Sequence, residues 1–119
     1  LPVRYIRDYI KRDYKLRDCC YICSSNKKLE LHHLYSVSEL FNRWLDENKI
    51  RSIDSEEQIL TYRVQFAKDC AELLANEHLY TLCDIHHKRL HSIYGQTYSN
   101  SMAPKIKNWL KLQREKNGN

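Results

Sequence analysis

Apolar and polar residues recur along this chain at two periods, and the changes of period divide it into elements. Tyr5, Ile6, Tyr9 and Ile10 recur at helical spacing with Arg7, Lys11 and Arg12 between them. This predicts a basic amphipathic helix over residues 4–17, within an N-terminal segment spanning residues 1–18. Residues 18–28 hold a cysteine-rich turn and a polar loop. Residues 29–34, Leu-Glu-Leu-His-His-Leu, alternate briefly and read as a strand. Ser36 and Glu39 then form an S-x-x-E capping pattern ahead of an apolar stripe at Leu40, Phe41, Trp44 and Leu45. Ser55 and Gln58 offer a second helix start, followed by a broad buried face from Ile59, Val64, Phe66, Ala67, Cys70, Leu73 and Leu74. Both helices read as packing elements, and Cys70 as a small buried hydrophobe. Residues 79–82 read as a second strand and residues 84–94 as a helix that stops at Gly95. Pro104 suits the first turn of a last helix over residues 102–116, with Ile106, Trp109 and Leu110 on its apolar face.

The expected fold is therefore α+β and a single domain of 119 residues. Its core is residues 19–34 and 77–94, interrupted by a helical insertion at 35–76 and flanked by N- and C-terminal helices. A chain of this length buries a modest core, and a structural metal would add to it.

The six histidines fall in two short clusters: His32 and His33, then His78, His86, His87 and His91. That sorting is the strongest chemical signal in the chain. The cysteines are Cys19, Cys20, Cys23, Cys70 and Cys83, an odd number with two adjacent. No secretory segment opens the sequence and no apolar run approaches the ~18 residues of a membrane span. The expectation is an intracellular protein whose cysteines bind metal or stay free.

Two constellations follow. Cys20-x-x-Cys23 with Cys83-x-x-His86 supplies the four soft or borderline donors of a structural Zn²⁺, joining distant segments. Cys19 is a spare that could replace Cys20 in a shifted site. His87 and His91, at i and i+4, share a helix face opposite His32 on the strand. Three neutral imidazoles with open positions describe a catalytic divalent metal site. Strand alternation turns His33 away from His32, near that metal but not on it. An unperturbed pKa of roughly 6.5 suits His33 to act as a base.

The formal net charge of +5 favours a polyanionic partner. Lys88 and Arg89 lie between His87 and His91. Arg7, Lys11 and Arg12 on the first helix, with Lys105, Lys107 and Lys111 on the last, are candidate flanking contacts to phosphates.

Taken together, Cys20-x-x-Cys23, the Glu-Leu-His32-His33 segment and His78 through Cys83-x-x-His86-His87-x-x-x-His91 resemble the HNH endonucleases, the ββα-metal or His-Me finger nucleases, with a zinc staple. The lead-in from Lys11 to Cys20 is also similar. The resemblance implies His33 as general base and His32, His87 and His91 as metal ligands. It places His78 where the family has the Asn that holds the base-bearing loop, and Asn76 lies two residues away. It implies hydrolysis, by nicking, of double-stranded DNA by a monomer or homodimer away from any membrane. Three imidazoles favour Mn²⁺, Ni²⁺, Zn²⁺ or Co²⁺, and Mg²⁺ stays open. The substitution at His78 keeps alive a second reading, a zinc-stapled nucleic-acid-binding module without catalysis. RNA as substrate, and a purely structural domain, also stay open.

Overall fold

The structure, a computed structural model, describes residues 2–12 and 14–118. Helix α1 runs Pro2–Lys11, strand β1 Leu29–His33, α2 Val37–Glu47, α3 Glu56–Asp69 and the short α4 Ala71–Leu74. A 3₁₀ turn at Asn76–His78 leads into β2, Leu79–Cys83, which passes directly into α5, Asp84–Tyr94. A second 3₁₀ turn, Asn100–Met102, starts α6, Ala103–Lys116. The two strands form one antiparallel sheet in which Leu29 faces Cys83, His32 faces Tyr80 and His33 faces Leu79. The α+β expectation therefore holds, with the helices between the strands where the sequence puts them.

Local chemistry accounts for the helix starts. Ser36 accepts from the Glu39 amide and Ser55 from the Gln58 amide, each satisfying a donor that the first turn leaves unpaired. Glu39 does not complete its capping box. Its carboxylate instead accepts the Asn100 amide at 2.7 Å, while Asn100 Oδ1 accepts the Ser36 amide at 2.7 Å. That exchange ties the entry of α6 to the entry of α2. Gly95, at φ 97°, ends α5 as expected, and Pro104 sits in the first turn of α6.

Two apolar cores lie side by side. One gathers Cys20, Ile22, Leu34, Leu82, Leu90, Ile106 and Leu110, joining the cysteine turn, the sheet, α5 and α6. The other gathers Ile6, Val37, Leu40, Phe41, Trp44, Ile59 and Phe66 from α1, α2 and α3. Tyr35 packs against both.

Three expectations are corrected. Helix α1 ends at Lys11 and not at residue 17. Tyr14 and Arg17 instead reach Thr81, through the hydroxyl at 3.3 Å and the Arg17 amide at 2.9 Å. Bonds to β2 thus replace the last helical turns. Leu1 and Asp13, within the expected N-terminal segment, lie outside the described residues. The face of the insertion is also narrower than expected. Ile59 and Phe66, seven apart, form its buried stripe, whereas Val64 is 49% exposed. Cys70 is not buried inside a continuous helix: it caps α3, half-buried, and α4 begins after it. Among the described residues no helix is long and apolar enough to cross a membrane.

Candidate metal centres

The turn at Cys20–Cys23 is built by short backbone bonds. The Cys20 amide donates to Ser25 O at 2.7 Å and the Ser24 amide to Cys20 O at 3.0 Å. The Tyr21 amide joins the turn to β2 through Thr81 O at 2.8 Å. This brings Cys20 and Cys23 to Cys83, the last residue of β2, and to His86 in the first turn of α5. Their donor atoms all lie within 4.8 Å of one another. Cys23 Sγ is 3.8 Å from Cys83 Sγ, and Cys83 Sγ is 3.2 Å from His86 Nδ1. A disulfide would need about 2.0 Å, whereas the edge of a tetrahedron with metal–sulfur bonds of about 2.3 Å is roughly 3.8 Å. Cys19 is exposed and outside the group, so Cys20 is the residue brought in.

The thiols here oppose one another electrostatically. Burial works against the Cys20 thiolate, but backbone donors at Cys23, Cys83 and Ile22 outweigh it and hold that thiol below its usual range. Burial, with the neighbouring sulfurs, pushes Cys83 up to about 11. One thiolate is favoured and suppresses the next. A cation at the centre relieves that conflict, because it deprotonates every coordinating thiol. The donor set fits Zn²⁺.

The second group is His32, His87 and His91, again with donor atoms within 4.8 Å of one another. His32 is buried, at 4% exposure, and the other two are half-buried. His87 Nε2 lies 3.2 Å from His32 Nδ1 and 3.2 Å from His91 Nε2. The outward nitrogens decide where the protons are. His87 Nδ1 meets Glu30 Oε1 at 2.8 Å and His91 Nδ1 meets the Gly95 carbonyl at 3.0 Å, both of them pure acceptors. Tyr98 donates its hydroxyl proton to Leu34 O at 2.7 Å, so its oxygen accepts from His32 Nε2 at 2.8 Å. In the neutral rings each outer nitrogen therefore carries the hydrogen. Three lone pairs converge with no proton between them. Such an arrangement is repulsive unless a cation sits at the focus, and outer partners of this kind orient metal-bound histidines. The three residues fit a divalent metal. Burial, aided by the charges of His87, His91 and His33, pushes His32 down to about 3, keeping the ring neutral.

His33 is brought to the same cleft but not into the cluster. Its Nε2 is buried and, among the described residues, has no hydrogen-bond partner. Burial, with Lys11 and Arg7 nearby, pushes this imidazole down to about 4, so it too is neutral near pH 7. The cleft measures about 490 Å³ and is also lined by Arg7, Lys11, Gln96, Thr97 and Tyr98.

His78 is placed differently from the expectation. Its ring meets Tyr35 edge-on at 5.1 Å and stands 3.6 Å from Glu77 Oε1, and it does not line the cleft. Its carbonyl, however, accepts the Leu34 amide at 2.9 Å, so the backbone holds the chain just past His33. Asn76 is exposed in a groove lined by Cys19, Tyr80 and Arg114, apart from the cleft. Lys88 stands beside Glu30 and His91 at the outer rim, 4.0 Å from Asp84. Arg89, Lys105, Lys107 and Lys111 are exposed and outside the cleft. Arg12 turns back over Tyr9, 3.8 Å from the ring centroid.

Two participants escaped the sequence reading. Glu30 stands two residues before His32 on one strand face, so alternation alone could have found it. Tyr98 carries no such signal, being one of nine tyrosines in a loop without pattern.

No solved structure matches this chain. A family model described as the nicking endonuclease family, and named for phage T5, matches residues 2–119. With the match running over almost the whole sequence, the chain belongs to the nicking endonuclease family.

Proposed function

We propose that the chain nicks double-stranded DNA by metal-dependent hydrolysis of the HNH type, with His33 as general base and His32, His87 and His91 holding one divalent ion. Membership of a nicking endonuclease family supports DNA as substrate and an endonucleolytic cut. The observation that carries the mechanism is the focus of three ring nitrogens whose outer partners turn their protons away, in a cleft that His33 also lines.

The bound ion, acting as a Lewis acid, would stabilise negative charge on the phosphoryl and leaving oxygens. His33 takes a proton from a water molecule. The water oxygen bonds to phosphorus, the bond to the 3′ oxygen breaks, and that oxygen takes a proton from solvent. Because His33 is neutral, its lone pair is available for this transfer near neutral pH. Glu30, Tyr98 and the Gly95 carbonyl act through the ligands by fixing ring orientation and tautomer. Cys20, Cys23, Cys83 and His86 would hold a structural Zn²⁺, whose role would be to join the cysteine turn to β2 and α5. Lys88 and Arg89, exposed on the helix that carries His87 and His91, would meet neighbouring phosphates.

Cleavage of supercoiled plasmid with EDTA, or with Mn²⁺, Ni²⁺, Co²⁺, Zn²⁺ or Mg²⁺, tests this reading beside His33→Ala. Metal-dependent nicking, lost in a His33→Ala protein that keeps its zinc, is the expected result. A second reading, a zinc-stapled binding module without catalysis, draws on the His78 ring, which packs on Tyr35 and leaves the hold on the His33 segment to the backbone. DNA binding without cleavage under every metal would favour it.

A further inference from the structure

The cleft has two cationic lining residues that the hydrolytic reading does not use. Arg7 and Lys11 line it with the histidines, near enough to His33 to disfavour its charged form. They are four residues apart on α1, so they share one face, with Cβ atoms about 5–6 Å apart. Among the described residues no aspartate or glutamate lines this cleft. Among the described residues neither Arg7 nor Lys11 makes an ion pair, and Arg7 donates to the neutral Ser38 hydroxyl at 3.0 Å. Two cations with no carboxylate partner among the described residues, set beside a candidate cation site, repel it and each other. That arrangement makes physical sense when a polyanion enters between them.

How α1 is held matters as much as its charge. Ile6 is fully buried, and Tyr5 and Ile10 are half-buried, in the core built from α2 and α3. Arg63 of α3 also donates to the Tyr5 carbonyl at 3.4 Å. The helical insertion is thus the platform that presents Arg7 and Lys11 to the cleft. Arg12, one residue beyond Lys11, is turned away over Tyr9, so the selection is of two cations and not of the whole basic helix.

We infer that Arg7 and Lys11 form a phosphate clamp, gripping adjacent phosphates of the strand being cut and holding that strand beside the histidines, with α2 and α3 as the arm that positions it. The inference rests on the cleft being where the phosphodiester binds. Arg7 offers a planar fork suited to two phosphate oxygens, and Lys11 a mobile point charge.

Binding of a short DNA duplex as a function of salt provides the test, using the intact protein carrying His33→Ala so that turnover does not interfere. Arg7→Gln and Lys11→Gln are each expected to flatten the slope of log K against log salt by about 0.9, one phosphate contact apiece. Lys68→Gln, which removes an exposed cation from α3, should leave the slope as it was. In proteins that keep His33, the same two substitutions should lower plasmid nicking at least tenfold, with Lys11→Arg restoring most of it. Ile6→Val and Ile6→Ala supply an independent readout. They remove no charge, yet loosening α1 should flatten the slope while the zinc content stays unchanged. Slopes for Arg7→Gln and Lys11→Gln indistinguishable from Lys68→Gln would overturn the clamp. If the protein fails to nick at all, the hydrolytic reading falls, and the salt slopes still decide whether α1 grips the backbone.

Discussion

Helix α5 serves two clusters that differ in donor number and donor type. His86 belongs to a group with three sulfurs, where Cys20 and Cys83 are buried and four donors surround one point. His87, the next residue, belongs to a group of three imidazoles that opens onto a cleft. A helix turns by about 100° per residue, so neighbours on its first turn face different partners. Four donors close a tetrahedron and leave nothing for chemistry; three leave a position to be filled by something else. The difference teaches that, on the proposed reading, stability and reactivity would be divided here by donor count and donor type, beginning at neighbouring residues of one helix.

The largest expected effect comes from breaking the closed group. Cys83→Ser should destabilise the protein by on the order of 5 kcal/mol, read from its urea midpoint. Nicking should vanish with it, because Cys83 is both the last residue of β2 and the entry to α5. His87→Ala should separate the two clusters. A fall in nicking of roughly a thousandfold, corresponding to about 4 kcal/mol of lost transition-state stabilisation, is expected with the melting temperature almost unmoved. Equal damage to stability from both substitutions would abolish the distinction drawn above.

Smaller changes sharpen it. Glu30→Ala should weaken metal binding at the open group by about 10- to 100-fold, measured by titrating nicking with Mn²⁺, and leave the zinc content alone. Tyr98→Phe, which removes the partner of His32 Nε2, should act in the same direction and more mildly, about tenfold. The smallest effect is expected far from both groups. Ser55→Ala deletes the cap of α3 and should cost about 1 kcal/mol in thermal unfolding, with nicking per folded molecule unchanged.

The sequence reveals donors better than it reveals what orients them. Cysteines and histidines are scarce, and their spacing on a turn or a helix places them, which is why His32, His87 and His91 and the four residues of the closed group come together as read. Ser36, Ser55 and Gly95 were legible for a related reason, since each satisfies a need confined to its own turn. Tyr98 was not, because its bond to His32 is made across the fold by a loop whose path depends on how α6 seats against α2. The end of α1 was hidden likewise: Tyr14 and Arg17 continue a helical pattern, but Thr81 competes for them and wins. Val64 shows the same limit, since an apolar residue off the buried stripe has no partner to cover it.

The pairing of β1 with β2 across the whole helical insertion carries a consequence for the order of assembly. Strands joined by a tight turn can zip from that turn, but these two lack one and must first close a long loop, at an entropic cost that local helices do not meet. The insertion is therefore expected to collapse before the sheet exists, and the Leu34 to His78 bond marks the point where its two ends meet. On the proposed reading either ion could be captured only after that closure, because each group takes residues from both sides of the insertion: Cys20 and Cys23 with Cys83 and His86, and His32 with His87 and His91. On that reading a newly made molecule would be inert until its slowest contacts form, and the time taken to acquire metal should report the time taken to fold.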